Sequence, residues 1–466
     1  MTEEADLDQK LSKAFTEMAI PGMAIIASQH GEVVYEKFAG YRHVAQQSPV
    51  TAETIFGLAS LTKSVVAVAV MILQDQGKLN VADNVIKWLP ELKRWNQFHK
   101  RNITIHHLLT HTAGFSGMGA FHLARRESIE HDPDGDYLFD SFSGSDYVYS
   151  VQDLMAAMIK EDASFIGKPG EIFNYSNESY ALLQEIVERA GGEKLALFAD
   201  MYIFDPLEME HAIFTFDDFT NLDSLTELYA FTKETPKEVF HSPAWWASGS
   251  IYGVGALKAS AIDVQKYLEL FRQNGLVNGV QIVTTESIEA MKSVQITTPN
   301  GVSYGYGLVV GTYHGQHVVG HGGGVKGISS FMLATNDLTV TVLTNIAEVP
   351  AEDVAFLVLD EWLKGEPEKS SLNEIIPLSD EQLQQYVGYY ETNERQSVEV
   401  SLMNEGLKLH IQQQSIDVKP IGKDQFILPD GKKVTFMIDE QGAVRGIFRG
   451  MRFIQKRSEA VGNESE

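Results

Sequence analysis

The sequence predicts an α+β fold followed by a small antiparallel β-barrel. Three observations carry this. Up to Leu363, stretches with helical periodicity are interleaved with strands. From Tyr304 to Thr344 the pattern is strand throughout, with Asn336-Asp337 as the last hairpin turn. Beyond a linker, about eight short strands alternate with turns such as Asn404-Glu405-Gly406, Pro429-Asp430-Gly431 and Glu440-Gln441-Gly442, the hairpin spacing of a small closed barrel.

Taken in order, Leu7, Leu11, Phe15 and Met18 give an amphipathic first helix that ends before Pro21-Gly22. Strands follow over Met23 to Ser28 and Val33 to Tyr41, joined by a His30-Gly31 turn. Phe56 to Leu79 then opens with Ser60, Thr62, Lys63 and Ser64 and continues as an apolar run. Its length favours a buried helix, with Gly77 as the residue just past its end. Between Gly117 and Tyr149 the pattern breaks down around D-P-D-G-D. A stretch that long is either disordered or a lid or binding loop. Helices are expected over Val151 to Lys160, Glu178 to Ala190 and Ala261 to Arg272. Strands are expected over Tyr306 to Tyr313, His317 to Gly320, Ile328 to Ala334 and Thr339 to Leu343, and Pro350 opens a helix to Leu363.

Composition narrows the function. The 466 residues carry 37 Lys+Arg against 63 Asp+Glu, a formal charge of −26. That sign repels nucleic acid and anionic membrane, so neither is an expected partner. There is no cysteine, which removes thiolate catalysis, disulfides and cysteine-ligated metals. No apolar run reaches the roughly 18 residues of a membrane span. The acidic start M-T-E-E-A-D-L-D-Q-K has no apolar core, so a cytoplasmic chain is expected.

Ser60 and Lys63 fall on one face of the buried helix at its N-terminal end. Desolvation and the positive helix terminus both lower a lysine pKa from about 10.4 toward neutrality. A neutral amine can then take the Ser60 proton, and a backbone N–H at the same helix start can hold an oxyanion. The bland alternative makes Ser60 an N-cap and Lys63 a solvated first-turn residue. Tyr175-Ser176-Asn177 reads either as a site loop or as an ordinary helix entry in which Ser176 or Asn177 caps and Tyr175 packs. His321-Gly322-Gly323-Gly324, lying between strands, allows a backbone to approach a substrate closely. Two decoys fail on context. Gly301 to Gly305, G-V-S-Y-G, lacks the strand-then-helix setting of a nucleophile elbow around Ser303. His107 and His111 have metal-ligand spacing, but Leu108 stands where a zincin needs Glu. His314, His317 and His321 lack an accompanying carboxylate cluster, so structural histidines and no cofactor are expected.

S-L-T-K at Ser60, Y-S-N at Tyr175 and H-G-G at His321, in this order, resemble the three signatures of the serine β-lactamase and penicillin-binding-protein superfamily, in its class C-like branch. H-H-L-L-T-H-T-A-G-F is similar to a segment common in that branch. The resemblance runs from about Leu7 to Leu363. It implies an antiparallel sheet flanked by helices with an additional helical region, and a serine hydrolase working through an acyl-enzyme. By resemblance Ser60 is the nucleophile and Lys63 its activating neighbour. Tyr175 is a proton shuttle with a phenol pKa depressed by Lys63 if the two adjoin. Asn177 orients the substrate amide, and base duty is left open between Lys63 and Tyr175. His321 takes the place of a lysine, beside Gly323, while Gly324 and Ser60 supply the oxyanion N–H groups. A neutral His321 is a poor carboxylate anchor, which favours a peptidase acting on D-residue peptides, or an esterase, over an efficient β-lactamase. A catalytically idle binding protein is the alternative from another class.

The domain boundaries expected are 1–365 for the hydrolase, 366–377 for a linker, 378–458 for a barrel resembling lipocalin-like C-terminal domains, and 459–466 for a polar tail. Such a barrel can cover the active site or build a homo-oligomer. The expected partner is a small-molecule or peptide substrate.

Overall fold

The computed structural model describes residues 3–116, 119–139, 142, 146–162, 165–216, 222–363, 375–392, 397–403, 406–411 and 414–457. Helix α1 (Glu3–Glu17) leads into strands β1 (Gly22–Gln29), β2 (Glu32–His43) and β3 (Ser48–Pro49). The apolar run forms helix α2 (Thr62–Asp75), followed by α3 (Ala120–Glu130), α4 (Asn177–Gly191) and α5 (Ala261–Arg272). Strands β4 (Ile296–Thr297), β5 (Ser303–Tyr304), β6 (Val309–Tyr313), β7 (Gln316–Val325), β8 (Ile328–Ala334) and β9 (Leu338–Thr344) precede helix α6 (Ala351–Leu363). The barrel comprises β10 (Gly388–Glu391), β11 (Ser397–Met403), β12 (Gly406–Ile411), β13 (Gln414–Pro420), β14 (Gln425–Ile427), β15 (Lys433–Ile438), β16 (Val444–Arg449) and β17 (Arg452–Arg457).

The nine strands of the first sheet run β4-β5-β6-β7-β8-β9-β1-β2-β3, antiparallel at every pairing. This is the expected antiparallel sheet with flanking helices. One apolar cluster joins α1 and α6 to β1, β8 and β9 on one side. A larger one gathers α2, α4 and α5 with residues between 79 and 124. Every residue of α2 from Thr62 to Leu73 is buried, and each fully buried Val, Leu, Ile or Met contributes roughly 1.5–3 kcal/mol. The helix ends as its sequence predicts. Gly77 takes φ +68, while Gly77 N–H reaches Gln74 O at 2.8 Å and Lys78 N–H reaches Leu73 O at 2.9 Å, the bond pair of a Schellman cap.

Two expectations change. The glycines after His321 do not lie between strands: β7 runs through Gly322, Gly323 and Gly324 to Val325, paired with β8. At Gly323 the strand has no room for a side chain, because the Leu58–Ser60 segment lies against it. The stretch from 117 to 149 is, where described, structured and pinned. Its Asp132 carboxylate accepts from Lys326 Nζ at 2.7 Å and from Trp246 Nε1 at 2.8 Å, both ends of the ion pair being almost fully buried.

The eight barrel strands close on themselves. Tyr386, Tyr390, Phe426, Phe436, Leu409 and Val434 fill the interior, so it is a packed core. Most of the expected linker (366–374 of 366–377) and the whole expected tail, 459–466, lie outside the described residues. Among the described residues no helix is long and apolar enough to cross a membrane.

Candidate active site

Ser60 sits in a 3₁₀ turn, Ala59–Leu61, directly before α2. Ala59 holds φ +46, a left-handed conformation that costs a non-glycine residue about 1–3 kcal/mol. Three bonds hold it. Thr62 Oγ1 donates to Ala59 O at 2.6 Å, Leu257 N–H donates to Thr62 Oγ1 at 3.2 Å, and Leu58 N–H reaches Leu257 O at 2.9 Å. The residue in the cap position of α2 is Leu61, and no side chain caps the helix. Ser60 is therefore not an N-cap.

Lys63 is wholly buried. Its Nζ donates to Ser60 Oγ at 3.2 Å and to Val254 O at 2.7 Å. Burial drives its pKa well below 10.5, and the positive charges of Arg452 and Arg125 push the same way against the opposing Glu178 carboxylate. The Lys63 ammonium position lies 4.9 Å from the centre of the Tyr175 ring, over its face.

Ser176, not Asn177, caps α4, accepting from Ser179 N–H at 3.1 Å. Tyr175 and half-buried Asn177 flank that cap. The Tyr175 hydroxyl is buried and makes no hydrogen bond of ordinary geometry. Its pKa is raised, by burial first, and Ser60 and Arg452 only partly offset this. The expected depression by Lys63 does not occur, because the amine faces the ring and not the oxygen.

His321 is buried in β7. Its Nδ1 lies 2.6 Å from Gly322 O and its Nε2 lies 3.1 Å from the Tyr304 hydroxyl. A carbonyl can only accept, so Nδ1 carries the proton and Nε2 accepts from Tyr304. Burial and the nearby Lys63 charge lower its pKa to about 4, the Gly322 carbonyl opposing them. His321 is neutral and both ring nitrogens are engaged. Of the three glycines after it, Gly323 is the one the packing requires. A Cβ there would stand 2.3 Å from Leu58 O, 2.4 Å from Ser330 Oγ and 3.1 Å from the Ser60 nitrogen.

Three signatures far apart in sequence thus converge on one pair, half-buried Ser60 and buried Lys63. A family profile described as Beta-lactamase matches residues 7–360. The chain belongs to the Beta-lactamase family. It is 26% identical over 436 residues to a penicillin-binding protein of Bacillus subtilis (strain 168), covering 90% of each chain. Over 210 residues it is 32% identical to esterase EstB of Burkholderia gladioli, 44% of this chain and 50% of the esterase. Among solved structures, the octameric penicillin-binding protein homologue from Pyrococcus abyssi superimposes with a TM-score of 0.68 at 24% identity, over 97% of this chain and 99% of that one. As a member of this family the protein is a serine hydrolase.

In this Beta-lactamase family member the barrel reaches the site. The turn between β16 and β17 docks on the Tyr175 loop, with Tyr175 N–H donating to Met451 O at 3.0 Å and Phe453 N–H to Asn174 Oδ1 at 2.9 Å. Phe448 and Phe453 pack with Ile166, Ile172, Phe173 and Tyr304. That places the Arg452 guanidinium 5.4 Å from the centre of the Tyr175 ring.

Arg452 is a site residue the sequence reading missed, and so is His111. The His111 ring lies 4.3 Å from that of Tyr175. Its Nδ1 accepts from Ser176 N–H at 3.0 Å, which fixes the Tyr175 loop. Its role is structural, as the sequence suggests for the histidines, but at the wall of the site. The segment H-T-A-G-F held that signal. Nothing local marked Arg452.

The decoys resolve on geometry. Ser303 lies in β5 and bonds Thr297 Oγ1 at 2.9 Å. His107 closes a capping box with Thr104. His314 faces Asp360 at 3.3 Å.

Gly323→Ala tests the fit of β7 against Ser60. The added methyl must displace Leu58 O or Ser330 Oγ, and with them the Ser60 N–H. We expect kcat on a neutral ester to fall about 10²-fold, the size of a lost oxyanion donor, with a smaller change in KM. Steady-state kinetics measures this.

Proposed function

We propose that the enzyme cleaves the amide of a small peptide containing a D-residue, or a small ester, through an acyl-enzyme on Ser60. The observation that carries this reading is the buried Lys63 amine, its pKa driven well below 10.5, lying 3.2 Å from Ser60 Oγ. As Ser60 Oγ bonds to the substrate carbonyl carbon, its proton passes to Lys63. Backbone N–H groups of Ser60 and Gly324, on a strand kept close by Gly323, hold the oxyanion. The Tyr175 hydroxyl, kept protonated by its raised pKa, gives its proton to the leaving nitrogen or oxygen as the carbonyl–leaving-group bond breaks, and the Lys63 ammonium returns a proton to the phenolate. Water then hydrolyses the ester to Ser60, with Lys63 again as base. Asn177 orients the acyl portion. His321 supports β7, and Arg452, beside Tyr175, receives a carboxylate on the leaving group. The D-residue preference rests on family resemblance. A homo-oligomer joined through the barrel is part of the proposal, supported by an octameric relative of the same fold.

A panel of neutral aryl esters, D- and L-amino acid anilides and a labelled penicillin tests the reading. Esters and D-anilides should turn over, L-anilides at least tenfold more slowly, and penicillin should label Ser60 with slow release. Absence of both labelling and hydrolysis across the panel would replace this reading with that of an idle binding protein.

A further inference from the structure

The reading above uses two of the cations around the cleft, Lys63 and Arg452. A third, Arg125, has no part in it. Arg125 stands one turn beyond Phe121 on α3. The Phe121 N–H donates to Glu178 Oε1 at 3.3 Å, so the first turn of α3 meets the start of α4, where Asn177 lies. The guanidinium sits 5.1 Å from the Phe121 ring centre and makes one long bond, from Nε to Ser248 Oγ at 3.4 Å. Its charge is felt at Lys63. Burial draws its own pKa down to about 10, so it stays charged at neutral pH while part of its surface remains accessible.

Among the described residues no carboxylate lies within ion-pair distance of Arg125. Its neighbours are treated differently. Arg126 pairs with Glu130 at 2.7 Å, and Lys326 pairs with Asp132 at 2.7 Å. A chain with 26 excess negative charges does not lack carboxylates to spend here. A guanidinium withdrawn from water without an anion is costly to keep, and its two Nη groups form a fork that fits a carboxylate.

The leaving group departs beside Tyr175 and Arg452, so the acyl portion extends toward Asn177 and α3. We propose that Arg125 binds a carboxylate on the acyl portion of the substrate, which makes the enzyme selective for acidic acyl groups such as succinyl, glutaryl or an acidic residue. This rests on the Ser60 acyl-enzyme reading.

The test compares mono-p-nitrophenyl succinate with its neutral methyl ester, in wild type, Arg125→Gln and Arg125→Lys. The ratio of kcat/KM for acid over neutral ester cancels any general effect on folding or on Lys63. Wild type should favour the acid at least tenfold. Arg125→Gln should cut that ratio at least tenfold, through KM, and Arg125→Lys should restore part of it. Calorimetric titration with monomethyl succinate reads the same site without turnover, and Arg125→Gln should weaken binding at least tenfold. A ratio and an affinity unchanged within twofold in Arg125→Gln would overturn the proposal. Ser60→Ala that still hydrolyses the neutral ester would instead overturn the acyl-enzyme reading, leaving the titration to judge Arg125.

Discussion

Ser60→Ala should lower kcat/KM on a neutral ester by at least about 10³-fold, with residual activity from binding and the oxyanion donors alone. A fluorophosphonate probe should label wild type at Ser60 and leave the variant unlabelled. The fold should survive, because Ser60 caps no helix and the bonds that hold the strained Ala59 turn come from Thr62, Leu58 and Leu257. The thermal unfolding midpoint should therefore stay close to that of wild type. Loss of the label together with loss of the folded state would remove the separation between chemistry and architecture on which the site description depends. Mass spectrometry placing the label on Ser303 would move the nucleophile to β5.

Lys63→Met should have an effect of similar size on turnover and, unlike Ser60→Ala, should raise stability. The amine lies within hydrogen-bond distance of Ser60 Oγ and is the base of the proposed reaction, so its removal should also cost about 10³-fold in kcat. Methionine fills a similar volume without a charge to desolvate. The sign follows from proton linkage. The folded pKa of Lys63 lies below its unfolded value of 10.5, with burial as the main cause. Between those two pKa values the unfolded chain binds one more proton, so stability rises with pH across that window. Below the folded pKa the full penalty applies, and above about 10.5 it disappears. The variant should be more stable than wild type at neutral pH, by on the order of 1–3 kcal/mol, and should lose that pH slope. Chemical denaturation at several pH values measures it. The wild-type kcat/KM should likewise fall in acid, as Lys63 takes up its proton.

Much of this was legible because it is local. The α2 run, its cap at Gly77, the strands β1 and β2 on either side of the His30-Gly31 turn, and the hairpins of the barrel follow from periodicity and turn chemistry within a few residues of each other. The stretch from 117 to 149 was not legible, since Asp132 is fixed by Lys326 and Trp246, residues far along the chain. The glycines after His321 read as lying between strands for the same reason. Only the approach of Leu58 and Ser60 shows why Gly323 can carry no side chain.

By itself the sequence determined the fold class, the family and the serine–lysine pair, because three signatures in fixed order encode them and a long apolar helix has to be buried. The tertiary structure decided the electrostatics. It turned the Lys63 amine toward the ring of Tyr175 and not its hydroxyl, left that phenol a weak acid, and occupied both nitrogens of His321. It also brought Arg452 from the barrel and Arg125 from α3 to the same cleft. Charge and desolvation act through space, and no spacing along the chain records which distant residues will meet.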